Sequence, residues 1–376
     1  MKKNIYITGG HLTPSLAVID DLLKNHSKEV KLFFIGREFA QTSPPQPSHE
    51  AREMNERSIP FFPIQAAKFH RQHFWRNFIE ILKLPNSCWQ VYTVFKRARP
   101  DVILSFGGYV AFPVCIVGKL FKARIITHEQ TKVAGLANQA IAYLADTIAV
   151  ANEESLPFFP KEKTVVTGNP IRESLLREYK TPPSWFPKEL MSKPFIYVTG
   201  GSQGSQVINQ TIATLLPKLV RSFVVIHQCG ASQGNVYLHE LEQQRLLLPE
   251  ELQHLYIVRE WIEAKDVSFL IRNAKFVISR AGANTVQEIT LAGTPAIFIP
   301  LSFAYNNEQQ KNCDPLVQQG AAMCILQKDL VPDVLYEATQ SVMRNYEKMK
   351  KNADHMKQEI PKSGTHNVIK LILSSM

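Results

Sequence analysis

Short apolar runs recur along this chain in two series. Residues 5–7, 31–35, 101–105, 124–127, 147–150 and 164–167 are rich in β-branched and aromatic residues. Each is separated from the next by enough chain for a crossover, which predicts parallel strands with helices on both faces of a sheet. A second series repeats the rhythm at 195–199, 223–228, 255–259, 276–279 and 296–300. Between them, Pro182, Pro183, Pro187 and Pro194 mark an irregular connection over 180–194. The expected fold is α/β, with two doubly wound parallel-sheet domains, 1–164 and 165–361. Val368, Ile369, Leu371, Ile372 and Leu373 predict a last helix, 362–376, packing back on the first domain. The proline-bearing stretch 42–49 is expected to be a surface loop.

A chain of 376 residues suits two such domains, and 45% hydrophobic with 20% charged residues excludes disorder. The net charge of +10 points to an anionic partner: nucleic acid, anionic lipid or a phosphorylated substrate. Cys88, Cys115, Cys229, Cys313 and Cys324 are scattered without a CxxC pair, so no disulfide framework or zinc site is expected and a reducing cytoplasm fits. The amino terminus lacks a signal-peptide pattern, and the uncharged apolar stretch 102–118 is shorter than the ~20 residues of a membrane-spanning helix.

Candidate chemistry lies where glycines follow strands, because such turns can present N–H groups and a helix N-terminus to phosphate. Four places qualify: Thr8-Gly9-Gly10-His11, Gly107-Gly108-Tyr109, Gly200-Gly201-Ser202-Gln203-Gly204 and Ala281-Gly282-Ala283-Asn284-Thr285. No Walker A lysine follows any of them, and the strict GxGxxG fingerprint is missing, which weakens ATPase and simple dehydrogenase readings. Ser202 is placed either to donate to a phosphate oxygen or to cap the next helix. Glu288 lies about one turn beyond the last glycine turn, where a carboxylate either accepts from both ribose hydroxyls or merely supports the helix dipole.

Taken in order, these segments resemble the MurG family of N-acetylglucosamine transferases, and through it the GT-B glycosyltransferase fold, in which two Rossmann-like domains face a cleft. The resemblance covers nearly the whole chain. It is carried by Thr8-Gly9-Gly10-His11 with Pro14, Arg99-Pro100-Asp101-Val102 leading to Gly107-Gly108-Tyr109-Val110, His128-Glu129-Gln130 with Ala134-Gly135-Leu136, and Gly168-Asn169-Pro170-Ile171-Arg172. In the second half it is carried by Gly200 to Gly204 with Asn209, by Arg280-Ala281-Gly282-Ala283 with Thr285 and Glu288, and by Gln309-Gln310 with Asn312.

The resemblance implies an inverting transferase that moves N-acetylglucosamine from UDP-GlcNAc to the muramyl 4-hydroxyl of lipid I in peptidoglycan synthesis. It gives uracil to the Ile262 backbone, ribose to Glu288, the uridine diphosphate region to Arg172, Ser202, Ala283, Asn284 and Thr285, and the sugar hydroxyls to Gln309 and Gln310, with Val286 and Gln287 also among the UDP-GlcNAc-binding residues. Thr8, Gly9 and Gly10 also line the substrate site, with Gly107, Gly108 and Tyr109 on the acceptor side. His11 is the candidate base for the attacking hydroxyl, against the alternative that it only caps its turn; Glu129 is a second candidate. The resemblance brings no tightly bound cofactor and leaves stimulation by a divalent ion open.

Two departures stand out. The first glycine loop is shorter than the family's, and Thr131 replaces the usual Asn after His-Glu-Gln, losing the amide's paired donor and acceptor.

The positive charge is concentrated. Over 68–99, Lys68, Arg71, Arg76, Lys83, Lys96, Arg97 and Arg99 stand against Glu80 alone, interleaved with Phe69, Phe74, Trp75, Phe78, Ile79, Ile81, Leu82, Leu84 and Trp89. Such an element suits peripheral contact with the anionic inner membrane surface, on the cytoplasmic face, although the apolar set can instead be core. Competing readings are a UDP-GlcNAc 2-epimerase or a glycolipid glycosyltransferase on the same scaffold. Nucleic-acid binding is not expected, since no recognised module is present.

Overall fold

The computed structural model describes residues 2–42, 45–65, 82–176, 181–201, 203–231, 236–302 and 307–376. The chain forms two compact units, Met1–Glu173 with Pro361–Met376, and Ser174–Ile360.

In the first unit the strands are β1 (Lys3–Thr8), β2 (Val30–Gly36), a separate antiparallel pair β3 (Phe39–Thr42) and β4 (Pro45–Pro47), then β5 (Phe61–Pro63), β6 (Val102–Ser105), β7 (Arg124–Glu129), β8 (Thr147–Val150) and β9 (Thr164–Val166). Apart from that pair they make one parallel sheet, ordered β5-β2-β1-β6-β7-β8-β9 among the described residues. In register, Ile5 lies between Leu32 and Val102.

Both faces are covered, so neighbouring residues of one strand enter different cores. Ile5 and Ile7 pack with Leu16, Leu22 and Phe34, whereas Tyr6 packs with Phe33, Phe95 and Ile103. Tyr6 stacks on Phe33 at 4.6 Å and donates its hydroxyl to the Ala98 carbonyl at 2.7 Å; burial pushes its pKa up to about 12.

The second unit holds β10 (Phe195–Thr199), β11 (Val224–Gln228), β12 (Tyr256–Arg259), β13 (Val277–Ser279), β14 (Ala296–Phe298) and β15 (Ala322–Cys324), all parallel in the order β12-β11-β10-β13-β14-β15. In each unit the chain lays down three strands to one side and then jumps across the first. The direction reverses between β1 and β6, and between β10 and β13, where doubly wound sheets open for ligands at their carboxyl ends.

The C-terminal helix Gly364–Ser374 returns to the first unit. Val368, Ile369 and Ile372 join the Ile5 core, and Asn367 Nδ2 donates to the Thr167 carbonyl at 2.9 Å. Thr365 Oγ1 accepts from Ile171 N–H at 2.9 Å and lies 2.8 Å from its carbonyl. These bonds fix 167–172 to the first unit, so its boundary falls after Glu173, beyond the 164/165 join read from the sequence, which would cut β9 itself. Strands β5 and β15 had no counterpart in the sequence reading; both are three-residue edge strands. The expected loop 42–49 instead ends one antiparallel pair and supplies Ser48, which caps helix His49–Glu56 by accepting from Ala51 N–H.

Ile372 is fully buried on that returning helix. Ile372→Ala should destabilise the first domain by about 2–5 kcal/mol, read by denaturant unfolding, with the second domain's transition unmoved.

Candidate functional site

In the second unit the turns after β10 and β13 lie side by side at the switch point. Gly201 donates to Thr199 Oγ1 at 3.0 Å with φ +83°, and a side chain on Gly204 would strike the Cys229 carbonyl, so the first turn closes directly on the loop after β11. Beneath it, Asn209 Nδ2 donates to that carbonyl at 3.1 Å, and Asn209 Oδ1 lies 3.1 Å from His227 Nε2. His227 Nδ1 is 2.8 Å from the Tyr256 hydroxyl. Burial pushes His227 down to about 3, so the ring is neutral, with Nε2–H donating to Asn209 and Nδ1 accepting from Tyr256.

Helix Ala283–Ala292 begins at Gly282, which has no side chain to cap it, and ends at Gly293 in the left-handed region, φ 68°. A Cβ on Gly201 or Gly282 would meet no described atom within 4 Å. The helix N-terminus, with the positive end of its dipole, lies at the carboxyl end of the sheet. The turn is braced from behind: Arg280 donates to the Ile299 carbonyl (3.0 Å) and to Ser205 Oγ (2.7 Å), and Asn312 Nδ2 donates to the Ala281 carbonyl (3.1 Å). Arg280 thus holds the loop. Glu288 is buried on the second turn of the helix and Ile262 lies just past β12, also buried. Gln309 accepts from Leu301 N–H through Oε1 at 3.0 Å, which orients its amide nitrogen; Gln310 is half-buried beside it. Ser202 lies outside the described residues.

In the first unit the two turns touch backbone to backbone. A Cβ on Gly10, φ +150°, would strike the Gly107 carbonyl, and one on Gly108 would stand 3.2 Å from the Gly10 Cα. Gly9 N–H donates to the Ile35 carbonyl at 2.8 Å and Gly107 N–H to Ser105 Oγ at 3.1 Å. Thr8, at the end of β1, is fully buried and Tyr109 is half-buried. His11 begins helix Leu12–Asn25 with extended backbone and makes no capping bond, which removes the capping alternative. Burial holds His11 below its ordinary pKa, and the nearby Glu129 charge opposes that shift.

Glu129 is a buried carboxylate with all four acceptor positions taken. Oε1 accepts from Thr131 N–H (3.0 Å) and Oγ1 (2.7 Å), and Oε2 from Gly135 N–H (2.9 Å) and Asn138 Nδ2 (2.9 Å). This geometry makes it the organiser of its loop rather than an available proton acceptor. Thr131 is buried with its hydroxyl turned to Glu129 and the Val133 carbonyl, not outward. His128 Nε2 faces the Gly168 carbonyl at 3.1 Å and Nδ1 the Gln130 amide at 3.2 Å; burial pushes it down to about 4.

Arg172 is buried and belongs to the first unit, so the residues expected around UDP are divided: Thr8, Gly9, Gly10, Thr131 and Arg172 in the first, the remainder in the second. Two buried polar residues of the first unit had not been singled out from the sequence. Asn138 joins Glu129, the His128 carbonyl and Thr127 Oγ1, and sits under Gly107. Glu50 lies against Gly9 and Gly36.

Comparison with known proteins agrees with this arrangement. Residues 8–150 match the glycosyltransferase family 28 N-terminal domain, and residues 195–368 the family's C-terminal domain. The chain is 32% identical over 331 residues, 88% of its length and 87% of the relative's, to the UDP-N-acetylglucosamine--N-acetylmuramyl-(pentapeptide) pyrophosphoryl-undecaprenol N-acetylglucosamine transferase of Caldanaerobacter subterraneus subsp. tengcongensis. It superposes on the crystal structure of Acinetobacter baumannii MurG with a TM-score of 0.66 at 25% identity, covering 100% of both chains. A UDP-GlcNAc 2-epimerase from Neisseria meningitidis bound to UDP-GlcNAc gives a TM-score of 0.63 at 14% identity over 100% of both chains, a likeness of fold alone. Fold and turns together define a two-domain glycosyltransferase of family 28. Within that class, the chain belongs to the MurG family of N-acetylglucosamine transferases.

His128 and His227 are neutral when folded and regain ordinary values near 6.5 when unfolded. The unfolded chain then binds more protons, so stability should fall as pH drops from about 6.5 toward 4 for the first domain and 3 for the second. Denaturation midpoints measured at about pH 7 and about pH 5 test this, and His128→Gln should flatten the slope of the first domain alone.

Proposed function

We propose that this protein transfers N-acetylglucosamine from UDP-GlcNAc to the 4-hydroxyl of undecaprenyl-diphosphate-linked N-acetylmuramyl peptide, with inversion. Membership of the MurG family over nearly the whole chain carries this reading. The uncapped helix at Gly282, with Glu288 buried on its second turn, supports UDP on the second domain.

The acceptor hydroxyl attacks the anomeric carbon in line. The new C–O bond forms as the bond to the β-phosphate oxygen breaks, UDP leaves, and the hydroxyl proton passes to His11. Charge developing on UDP is met by the helix N-terminus, an electrostatic task worth several kcal/mol in a preorganised site. Gln309 and Gln310 hold the sugar hydroxyls and Ile262 the uracil. The reading needs no tightly bound cofactor and leaves a divalent ion a stimulating role.

The acceptor is membrane-borne, and the first domain carries a surface for it. Of the basic stretch 68–99 only 82–99 lies in the described residues. There, helix Leu84–Arg97 buries Ser87, Val91 and Phe95, but Leu82 is 77% exposed, Trp89 65% and Leu120 72%. Trp89 stacks on Tyr92 at 5.8 Å, and Tyr92 meets Phe121 at 5.5 Å. Lys96, Arg97, Arg99, Lys122 and Arg124 are exposed around these aromatics. Among the described residues no helix is long and apolar enough to cross a membrane. Peripheral contact with an anionic membrane surface, on its cytoplasmic face, is the mode this patch supports.

Incubation with labelled UDP-GlcNAc and a lipid I analogue should give transfer, with UDP released only when the acceptor is present; UDP release without it favours 2-epimerisation. His11→Ala should lower kcat about 10²-fold or more while leaving UDP affinity intact, and near-normal turnover removes His11 as base. In vesicle flotation the protein should partition to anionic over neutral lipid, each surface Lys or Arg contributing about 1 kcal/mol, and Trp89→Ser with Leu120→Ser should reduce the bound fraction. Equal partitioning would refute the electrostatic component.

A further inference from the structure

A chain of buried polar groups in the second domain takes no part in the proposed transfer. It runs from Tyr256 on β12 through His227 on β11 to Asn209 on helix Gln206–Leu219, and ends on the Cys229 carbonyl just past β11; all four residues are buried. One atom assigns every proton in it. The Cys229 carbonyl can only accept, so the Asn209 nitrogen 3.1 Å away donates to it, and Asn209 Oδ1 is turned to His227. His227 Nε2 therefore carries the hydrogen, and the bare Nδ1 accepts from the Tyr256 hydroxyl at 2.8 Å. Reversing any one member sets acceptor against acceptor or donor against donor in a buried place.

The carbonyl that ends the chain is also the atom on which the turn after β10 rests. A side chain on Gly204, φ +77°, would strike it, and one on Gly230, φ +84°, would strike the Gly204 nitrogen, so the two turns touch backbone to backbone. Cys229 N–H donates to the Arg259 carbonyl at 2.9 Å and Gly230 N–H to the Glu260 carbonyl at 3.1 Å, which ties this loop to β12. On the other side Ser205 accepts from Arg280 at 2.7 Å and caps the helix that carries Asn209. Apolar side chains could fill the space of the imidazole and phenol without the cost of burying polar groups; what only the polar chain supplies is direction. We propose that His227 and Tyr256 are positioning residues for the donor site: Tyr256 selects the His227 tautomer, the tautomer selects the Asn209 amide orientation, and that amide holds the Cys229 carbonyl and with it the glycine turn beside the nucleotide diphosphate. This rests on the reading of the second domain as the UDP side.

The test uses the full chain, with UDP affinity read by calorimetry and the His227 ring followed without ligand by nitrogen NMR of labelled histidine. The wild-type ring should show the Nε2–H form, and Tyr256→Phe should admit a fraction of the Nδ1–H form. UDP binding should weaken about tenfold in His227→Leu and about threefold in Tyr256→Phe. His227→Gln, whose amide N–H can still donate to Asn209, should recover most of the affinity, and in that background the effect of Tyr256→Phe should shrink, since no tautomer remains to be selected. In transfer assays KM for UDP-GlcNAc should rise and KM for the acceptor should not move. Unchanged UDP affinity in folded His227→Leu would overturn the proposal, as would equal losses in His227→Gln and His227→Leu, or a wild-type ring in the Nδ1–H form. Should His227→Leu fail to fold, Tyr256→Phe, His227→Gln and their double variant decide the same question. If wild type binds no UDP, the reading of the second domain fails, while the tautomer in wild type and Tyr256→Phe still decides the relay.

Discussion

Backbone N–H groups at the carboxyl end of a parallel sheet lose their strand partners and must find others, from the chain or from a ligand. The two domains share a strand order and meet this demand differently. In the first, Gly9 is satisfied by the Ile35 carbonyl, Gly107 by Ser105, Gly10 by Glu50, and Thr131 and Gly135 by Glu129. In the second, the turn after β10 is closed by Thr199, but helix Ala283–Ala292 starts at a glycine with nothing to cap it. In the proposed function that helix N-terminus meets the diphosphate.

Filling a turn with a carboxylate is stable only when the carboxylate is fully bonded, since an unpaired buried charge is worth several kcal/mol of instability. Glu129 meets that condition with four donors, and the consequence reaches His11. The carboxylate's charge opposes the effect of burial on the imidazole, which still sits below its ordinary value and so is held neutral near pH 7. A base must be neutral to accept a proton and close to an anion to hold it. In the proposed function, with His11 as the base, Glu129 supplies the second condition, and His128, neutral and tied to the Gly168 carbonyl, adds no competing charge.

The central strands were legible because apolar runs such as Val102-Ile103-Leu104 and Val224-Val225-Ile226 are buried on both faces. β5 and β15 were not, because Phe61-Phe62-Pro63 and Ala322-Met323-Cys324 hold no β-branched residue, whereas the equally short edge strand β9, Thr164-Val165-Val166, is β-branched throughout. Gly293 was legible as a C-cap, and it adopts the left-handed conformation that role requires. All four glycine turns were visible too, but not which were already filled. Glu50 lies some forty residues from Gly9, inside the polar helix His-Glu-Ala-Arg-Glu-Met-Asn-Glu. Its one local trace is the i, i+4 spacing to Met54 on the buried face. Asn138 is hidden in the same way within Leu136–Ala142. Contacts between turns distant in sequence have no periodicity to read.

The excess of ten positive charges acquires a place by the same reasoning. Half-buried cations here are used internally: Arg280 holds the loop after β13, and Arg57 bridges Asp20 and Glu53. The cations around Trp89, Tyr92 and Phe121 are instead exposed, beside large apolar side chains that the core does not take. Helix Leu84–Arg97 needs only Ser87, Val91 and Phe95 to pack on the sheet. Trp89 and Leu82 lie outside that packing, and large exposed apolar side chains beside net positive charge suit a surface that is both apolar and anionic. A membrane carrying the lipid-linked acceptor satisfies both requirements at once. A nucleic acid satisfies the charge but leaves Leu82 and Leu120 without a partner.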